Sequence, residues 1–194
     1  AVQQQQWQML EDQIATLERL FDNMLLMVRL DHLSAIDRAP ENLSQIAQQV
    51  VDRFAPLAAQ RRHTLSFHPQ ADGPDVLADP FLLKSAIGAI VANALDFTPP
   101  GGSIRVVTYT QDQTEAVLEV RDNGIGIDPD DRPHIFKRFW WANRADYPSP
   151  GSIGLGLALA KRIIDLHDGR IDVESARNQG STFWVILPVH AVGM

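Results

Sequence analysis

Apolar residues in the first stretch of the chain fall at Leu10, Ile14, Leu17, Phe21, Met24 and Val28, spaced alternately four and three apart. That is a 3.5-residue seam, and it predicts a long helix from about residue 4 to 34. Leu20, Leu25, Met27 and Leu30 widen the stripe, which suits a helix in a bundle better than one in a lone two-stranded coil. An amphipathic helix lying on its own domain is the competing reading of the same stripe. Ala39-Pro40-Glu41-Asn42 predicts a break. A second helix follows, with Leu43, Ile46, Val50, Phe54 and Leu57 on one face and Pro56 marking a kink or an early end. Short strands are expected at Thr64–Phe67 and Asp75–Leu77. A third helix runs from Pro80 to Phe97 and is stopped by Pro99-Pro100-Gly101-Gly102.

Beyond that stop, Ile104–Thr110 and Ala116–Arg121 read as an antiparallel pair of strands. Residues 122–153 are rich in Gly, Pro, Asp and aromatics and read as loop. A helix from Gly154 to Leu166 and strands at Arg170–Glu174 and Thr182–Leu187 complete the pattern. Helices and strands alternate without a strict βαβ order. The predicted fold class is therefore α+β, a two-layer sandwich of a mixed, mainly antiparallel sheet covered by helices and preceded by a long helix.

Composition narrows the chemistry. The 194 residues carry a net charge of −7, which argues against binding nucleic acid. There is no cysteine, so disulfides and thiolate metal sites are excluded. The six histidines are scattered without ligand spacing. No run approaches the roughly 20 apolar residues of a membrane span, so the chain is expected to be soluble. It opens inside a helical pattern, as expected of a piece of a longer protein.

Three segments could carry function. Asn93 interrupts the apolar Val91-Ala92-Asn93-Ala94 stretch. A buried amide needs partners, and its oxygen suits Mg²⁺; a bond to neighbouring backbone is the plainer account. Asp122-Asn123-Gly124-Ile125-Gly126-Ile127 follows a strand directly. Its glycines permit close backbone approach, and Asp122 can accept a hydrogen bond from an exocyclic amine such as that of adenine; a plain turn is the alternative. Gly151-Ser152-Ile153-Gly154-Leu155-Gly156-Leu157 opens a helix, where free amides can meet phosphate oxygens. No lysine follows its last glycine, so it is not a phosphate loop of the Gly-Lys-Ser/Thr kind.

The order of these segments resembles the ATP-binding domains shared by gyrase, heat-shock chaperones, mismatch-repair proteins and histidine kinases, the Bergerat-type or GHKL ATPases. The histidine-kinase branch is most similar. Asn93-Ala94-Leu95-Asp96-Phe97-Thr98-Pro99 resembles its N box and Asp122–Ile127 its G1 box. Ile135-Phe136-Lys137-Arg138-Phe139 resembles its F box and Gly151–Leu157 its G2 box. Gly180-Ser181-Thr182-Phe183 resembles a closing strand. The likeness covers residues 41–190, and the first helix resembles the second helix of the family's dimerisation and phosphotransfer hairpin. It implies residues 1–40 as the incomplete hairpin and 41–194 as the ATP-binding domain. Asn93 would hold Mg²⁺ against the ATP phosphates, and Asp122 would read the adenine amine. Gly126 would let the base approach, and Gly154 and Gly156 would give backbone amides to the phosphates. Gly124, Ile127, Phe136, Phe139, Gly151, Leu155, Leu157 and Thr182 would complete the ATP-binding set. Residues 128–153 would form a lid, packed by Phe136 and Phe139, with Trp140 and Trp141 in lid packing or a partner surface.

The resemblance further implies γ-phosphoryl transfer from ATP to a histidine outside this chain, and relay to the receiver domain of a response regulator. It implies a homodimer through the first helix, and a cytoplasmic portion of a sensor anchored in the inner membrane. The chain departs from the pattern at two positions. Ala89 stands one turn before Asn93, where the family has Asn or Glu, and can neither bind Mg²⁺ nor accept a proton. Asp96 stands where lysine is common, so repulsion of phosphate is expected unless Mg²⁺, Lys137, Arg138 or Arg144 offsets it. All six histidines read as structural or solvent-facing. These departures favour a second reading, a degenerate docking module that regulates another kinase. A free-standing ATPase is a third, opposed by the missing base at position 89.

Overall fold

The structure is a computed structural model and describes residue 14 and residues 21–33, 35–70, 73–140 and 154–190. Helix α1 is described over residues 21–31. Strand β1 (Ala39–Asn42) and helix α2 (Leu43–Gln60) follow, then β2 (Thr64–Pro69), β3 (Asp75–Ala78) and α3 (Pro80–Phe97). The rest is β4 (Ser103–Gln111), β5 (Glu115–Asp122), α4 (Gly156–Leu166), β6 (Arg170–Ser175) and β7 (Ser181–Pro188). Five strands form one sheet in the order β2-β4-β5-β7-β6. Only the β2–β4 pair is parallel. Helices α2, α3 and α4 lie together over the sheet, with α3 in contact with both others. This is the expected α+β sandwich.

Local chemistry accounts for the helix bounds. Asp79 caps α3 by accepting from the Phe81 and Leu82 amides at 2.9 and 3.0 Å, and Pro80 fills the first helical position, where its missing N–H costs nothing. Asn42 caps α2 through the Gln45 amide at 3.1 Å. Pro56 lies inside α2 without ending it. The expected break at residues 39–42 is a strand, antiparallel to β3. Helix α3 is long and apolar enough, by length and composition, to cross a membrane. Its apolar face, from Leu82 to Leu95, is instead buried in the core.

Helix α1 shows two faces. Met27 and Leu30 are buried in the domain's own core. Ile14, Phe21, Met24 and Val28, the seam residues among those described, are exposed by 50–63%. Burial of Met27 and Leu30 fits the reading of a helix lying on its own domain, and the described seam positions form the opposite, exposed face. Its C-terminal end is fastened by arginines. Arg162 of α4 donates to the Leu30 and Leu33 carbonyls at 2.9 and 2.8 Å, setting a cation at the negative dipole end of the helix. Arg138 forms a fork with Asp31 at 2.8 and 2.5 Å and holds that carboxyl below its ordinary range.

Candidate nucleotide-binding site

The pleat of β5 explains where Asp122 points. Ala116, Leu118, Val120 and Asp122 alternate onto the helix-covered face, and Asp122 ends the series with 6% exposure. Its Oδ1 accepts from the Gly124 amide at 2.8 Å and the Ser181 amide at 3.3 Å. Both bonds fall on one oxygen, and no described residue donates to Oδ2, which can meet an outside donor. Burial pushes the carboxyl above its ordinary range, while the Gly124 and Ser181 amides pull the other way.

The loop after Asp122 is fixed by backbone contacts. The Ile125 amide donates to the Phe97 carbonyl at the end of α3 (3.1 Å), and the Asn178 amide donates to the Ile125 carbonyl (2.6 Å). Gly126 has φ +68°, and a Cβ there would lie 2.0 Å from the Ala176 carbonyl oxygen, so only glycine fits. Ile127 is half-buried against the core, and its amide donates to Ser175 Oγ at 2.7 Å.

Asn93 lies on α3, half-buried, and no described residue hydrogen-bonds its amide. The backbone-bonded account of this residue therefore does not apply. Ala89, one turn earlier, packs against the start of α4: a Cβ built on Gly156 would sit 3.8 Å from the Ala89 methyl. The α3 face carrying Ala89 and Asn93 thus looks onto the N-terminus of α4. Leu155 at the cap position is buried and gives no side-chain cap, and α4 begins at Gly156 with Leu157 in its first turn. The cap side chain therefore takes none of the first amides of α4, a condition under which a helix end can receive an anion.

Trp140 lies within the segment expected to form the lid, residues 128–153, and Gly154 directly follows it. The Phe139 amide donates to the Gly154 carbonyl at 3.0 Å, so the backbone just before residue 141 is pinned to the residue that follows the lid. Gly154 has φ +68°, and a Cβ there would lie 2.2 Å from the Trp140 carbonyl oxygen. Gly151, Trp141 and Arg144 lie outside the described residues.

Several expectations need correction. Phe136 packs against the core, but Phe139 is 63% exposed and does not pack the described part of the lid. Thr182 pairs with Arg121 and alternates with Ser181, so the pleat sets it on the face of β7 opposite Asp122; Ser181 is the neighbour that reaches the carboxylate. Asp96 is not offset by Arg138, which is engaged by Asp31; Arg61 of the turn after α2 holds it at 2.6 Å. Two buried residues join this site without being candidates in the sequence, Ser175 and, within the closing strand, Ser181, each 8% exposed. Their signal was a serine at an inward position of an alternating strand, Ile171-x-Val173-x-Ser175 and Ser181-x-Phe183-x-Val185.

Among the histidines, His63 and His167 are buried. His63 Nε2 meets the Thr98 carbonyl at 2.9 Å. His167 Nε2 accepts from the Asp79 amide at 3.1 Å, which leaves the ring proton on Nδ1 to donate to the Ile163 carbonyl at 2.7 Å. His32 and His68 are exposed.

Residues 78–191 match the family described as histidine kinase-, DNA gyrase B-, and HSP90-like ATPase. The sensor histidine kinase RppB of Synechocystis sp. (strain ATCC 27184 / PCC 6803 / Kazusa) is 33% identical over 183 residues, 94% of this chain and 40% of RppB. The solved structure of full-length ShkA in complex with AMPPNP superposes with a TM-score of 0.80 at 25% identity, over 100% of this chain and 40% of ShkA. The mycobacterial sensor histidine kinase MprB superposes with a TM-score of 0.66 at 26% identity, over 79% of this chain and 98% of the MprB chain. The chain spans about two fifths of the length of RppB. With Asp122, Asn93 and the start of α4 gathered around α3, the chain belongs to the histidine kinase-, DNA gyrase B-, and HSP90-like ATPase family and corresponds to the ATP-binding region of bacterial sensor histidine kinases.

Proposed function

We propose that this chain binds Mg·ATP through Asp122, Asn93 and the first amides of α4, and serves a two-component sensor histidine kinase. In that protein the γ-phosphoryl group would pass to a histidine outside this chain, and then to an aspartate on a response regulator's receiver domain. Residues 1–40 would belong to the dimerisation hairpin and 41–194 to the ATP-binding domain. The exposed seam of Ile14, Phe21, Met24 and Val28 supports a homodimer through α1. Anchoring of the whole protein in the inner membrane, with this part in the cytoplasm, is part of the same reading.

The observation that carries it is the buried Asp122 carboxylate, oriented by two amides on one oxygen. Mg²⁺ commonly takes one or two protein oxygens and completes its shell with phosphates and water. The half-buried Asn93 amide, unbonded by any described residue, fits as one such ligand. When bound, the ion would neutralise phosphate charge, and this domain would contribute positioning more than covalent chemistry.

Ala89 supports the second reading, a docking module with weak nucleotide binding, because it removes one potential ligand from the α3 face. Calorimetric titration with Mg·ATP separates the two. Saturable binding lost in Asp122→Asn supports the kinase domain. A folded chain that binds no nucleotide at millimolar concentration sinks it and leaves the docking module.

A further inference from the structure

The last inward row of the sheet is polar. Val120, Phe183 and Val173 align across β5, β7 and β6 on the helix-covered face. One pleat further along, the same row reads Asp122, Ser181 and Ser175, with Ser175 registered opposite Ser181. All three are buried, and buried polar groups are costly unless bonded.

Ser175 is fully bonded. Its Oγ donates to the Gly180 carbonyl at 2.8 Å. A hydroxyl has one proton, so its other two contacts must be accepted ones. It therefore accepts from the Ile127 amide at 2.7 Å and from the Ser181 hydroxyl at 3.0 Å. One side chain thus ties together the loop carrying Gly124 and Gly126, the turn between β6 and β7, and the first residue of β7. Those are the segments that supply Asp122 with its two amide donors. Glycine at position 126 lets the loop lie against the end of β6, where the Ala176 carbonyl is close.

We infer that Ser175 is a positioning residue for base recognition: it fixes the angle of the Asp122 carboxylate, and so sets the preference for a purine bearing an exocyclic amine over one bearing a carbonyl there. Ser175 itself touches no nucleotide. The inference rests on the reading of Asp122 as the base reader.

The test measures dissociation constants of Mg·ATP and Mg·ITP for the 194-residue chain and for Ser175→Ala, Ser175→Cys and Asp122→Asn. ITP carries the same triphosphate but a carbonyl in place of the amine, so its binding reports the phosphate side and the fold. Ser175→Ala is expected to weaken ATP about tenfold, the scale of one buried hydrogen bond, and to leave ITP unchanged. Equal weakening of both nucleotides, or an unchanged ratio, overturns the inference. Should Ser175→Ala lose ITP as well through misfolding, the near-isosteric Ser175→Cys decides. A reduced ATP-to-ITP preference supports the role, and the parental preference refutes it. A parent chain with no preference, or one that Asp122→Asn leaves intact, removes the reading of Asp122 and this inference with it. A preference abolished by Asp122→Asn but untouched at position 175 removes the inference alone.

Discussion

Arg61 Nη1 lies 2.6 Å from Asp96 Oδ1, joining the end of α2 to the last turn of α3. Asp96 stands three residues after Asn93 and so shares its side of the helix. The carboxylate that appears from sequence to repel phosphate is therefore paired, and the cation comes from outside the lid.

Asp96→Lys would break this pair and reverse the charge beside Asn93. The pair is only partly buried, with side-chain exposures of 39% and 23%, so the stability cost should be about 1 kcal/mol or less. Mg·ATP affinity should rise by about three- to tenfold, with a steeper dependence on salt. Calorimetry at two ionic strengths reads this directly; weaker binding would show that Asp96 holds Arg61 for the nucleotide's benefit.

Asp122→Asn should abolish ATP binding without unfolding the chain. The amide oxygen can still accept from Gly124 and Ser181. The native carboxyl titrates above its ordinary range because of burial. A raised carboxylate contributes stability below its unfolded pKa and loses it as pH rises through the folded value, so at pH 7 the parent carries the cost of a buried charge. Urea midpoints at pH 7 should therefore be equal to or higher than the parent's in the variant, with the difference shrinking below about pH 4. A large loss of stability at pH 7 would refute this account.

Helix α1 should separate dimerisation from folding. Val28 is 50% exposed on the seam, whereas Leu30 is 1% exposed in the core. Val28→Glu should abolish concentration-dependent dimers in sedimentation velocity with little change in thermal midpoint. Leu30→Ala should cost about 2–5 kcal/mol of stability and leave the seam intact. A chain that is monomeric at high concentration before any substitution would count against a dimer through this helix.

His167 should make the fold acid-sensitive. Its neutral ring bridges the Asp79 amide and the Ile163 carbonyl, joining the start of α3 to the end of α4. Burial lowers its pKa, with Arg38 adding to the effect and Asp79 opposing it. A depressed histidine contributes stability above its unfolded pKa of about 6.5 and loses it as pH falls through the folded value. Protonation would also set an N–H on Nε2 against the Asp79 N–H. The thermal midpoint should fall below about pH 6.5, and His167→Gln should flatten that dependence.

Much of this protein was legible in its residues. Asp79-Pro80 and Pro99 bound α3 by capping and by backbone restriction, effects that reach only a few residues. Period-two patterning gave β4 and β5, and the spaced glycine segments gave the candidate boxes. What escaped depended on register and packing. Whether Thr182 or Ser181 faces Asp122 is a matter of one residue of pleat, because a single step turns a side chain to the other face of the sheet. The role of Ser175 exists only because β6 and β7 align it with Ser181. The partner of Asp96 comes from 35 residues earlier in the chain. The seam of α1 predicted a buried stripe, but the fold decided that Met27 and Leu30 pack on the domain while Met24 and Val28 stay outside. Local sequence sets which groups a segment can offer; long-range packing chooses which of them meet.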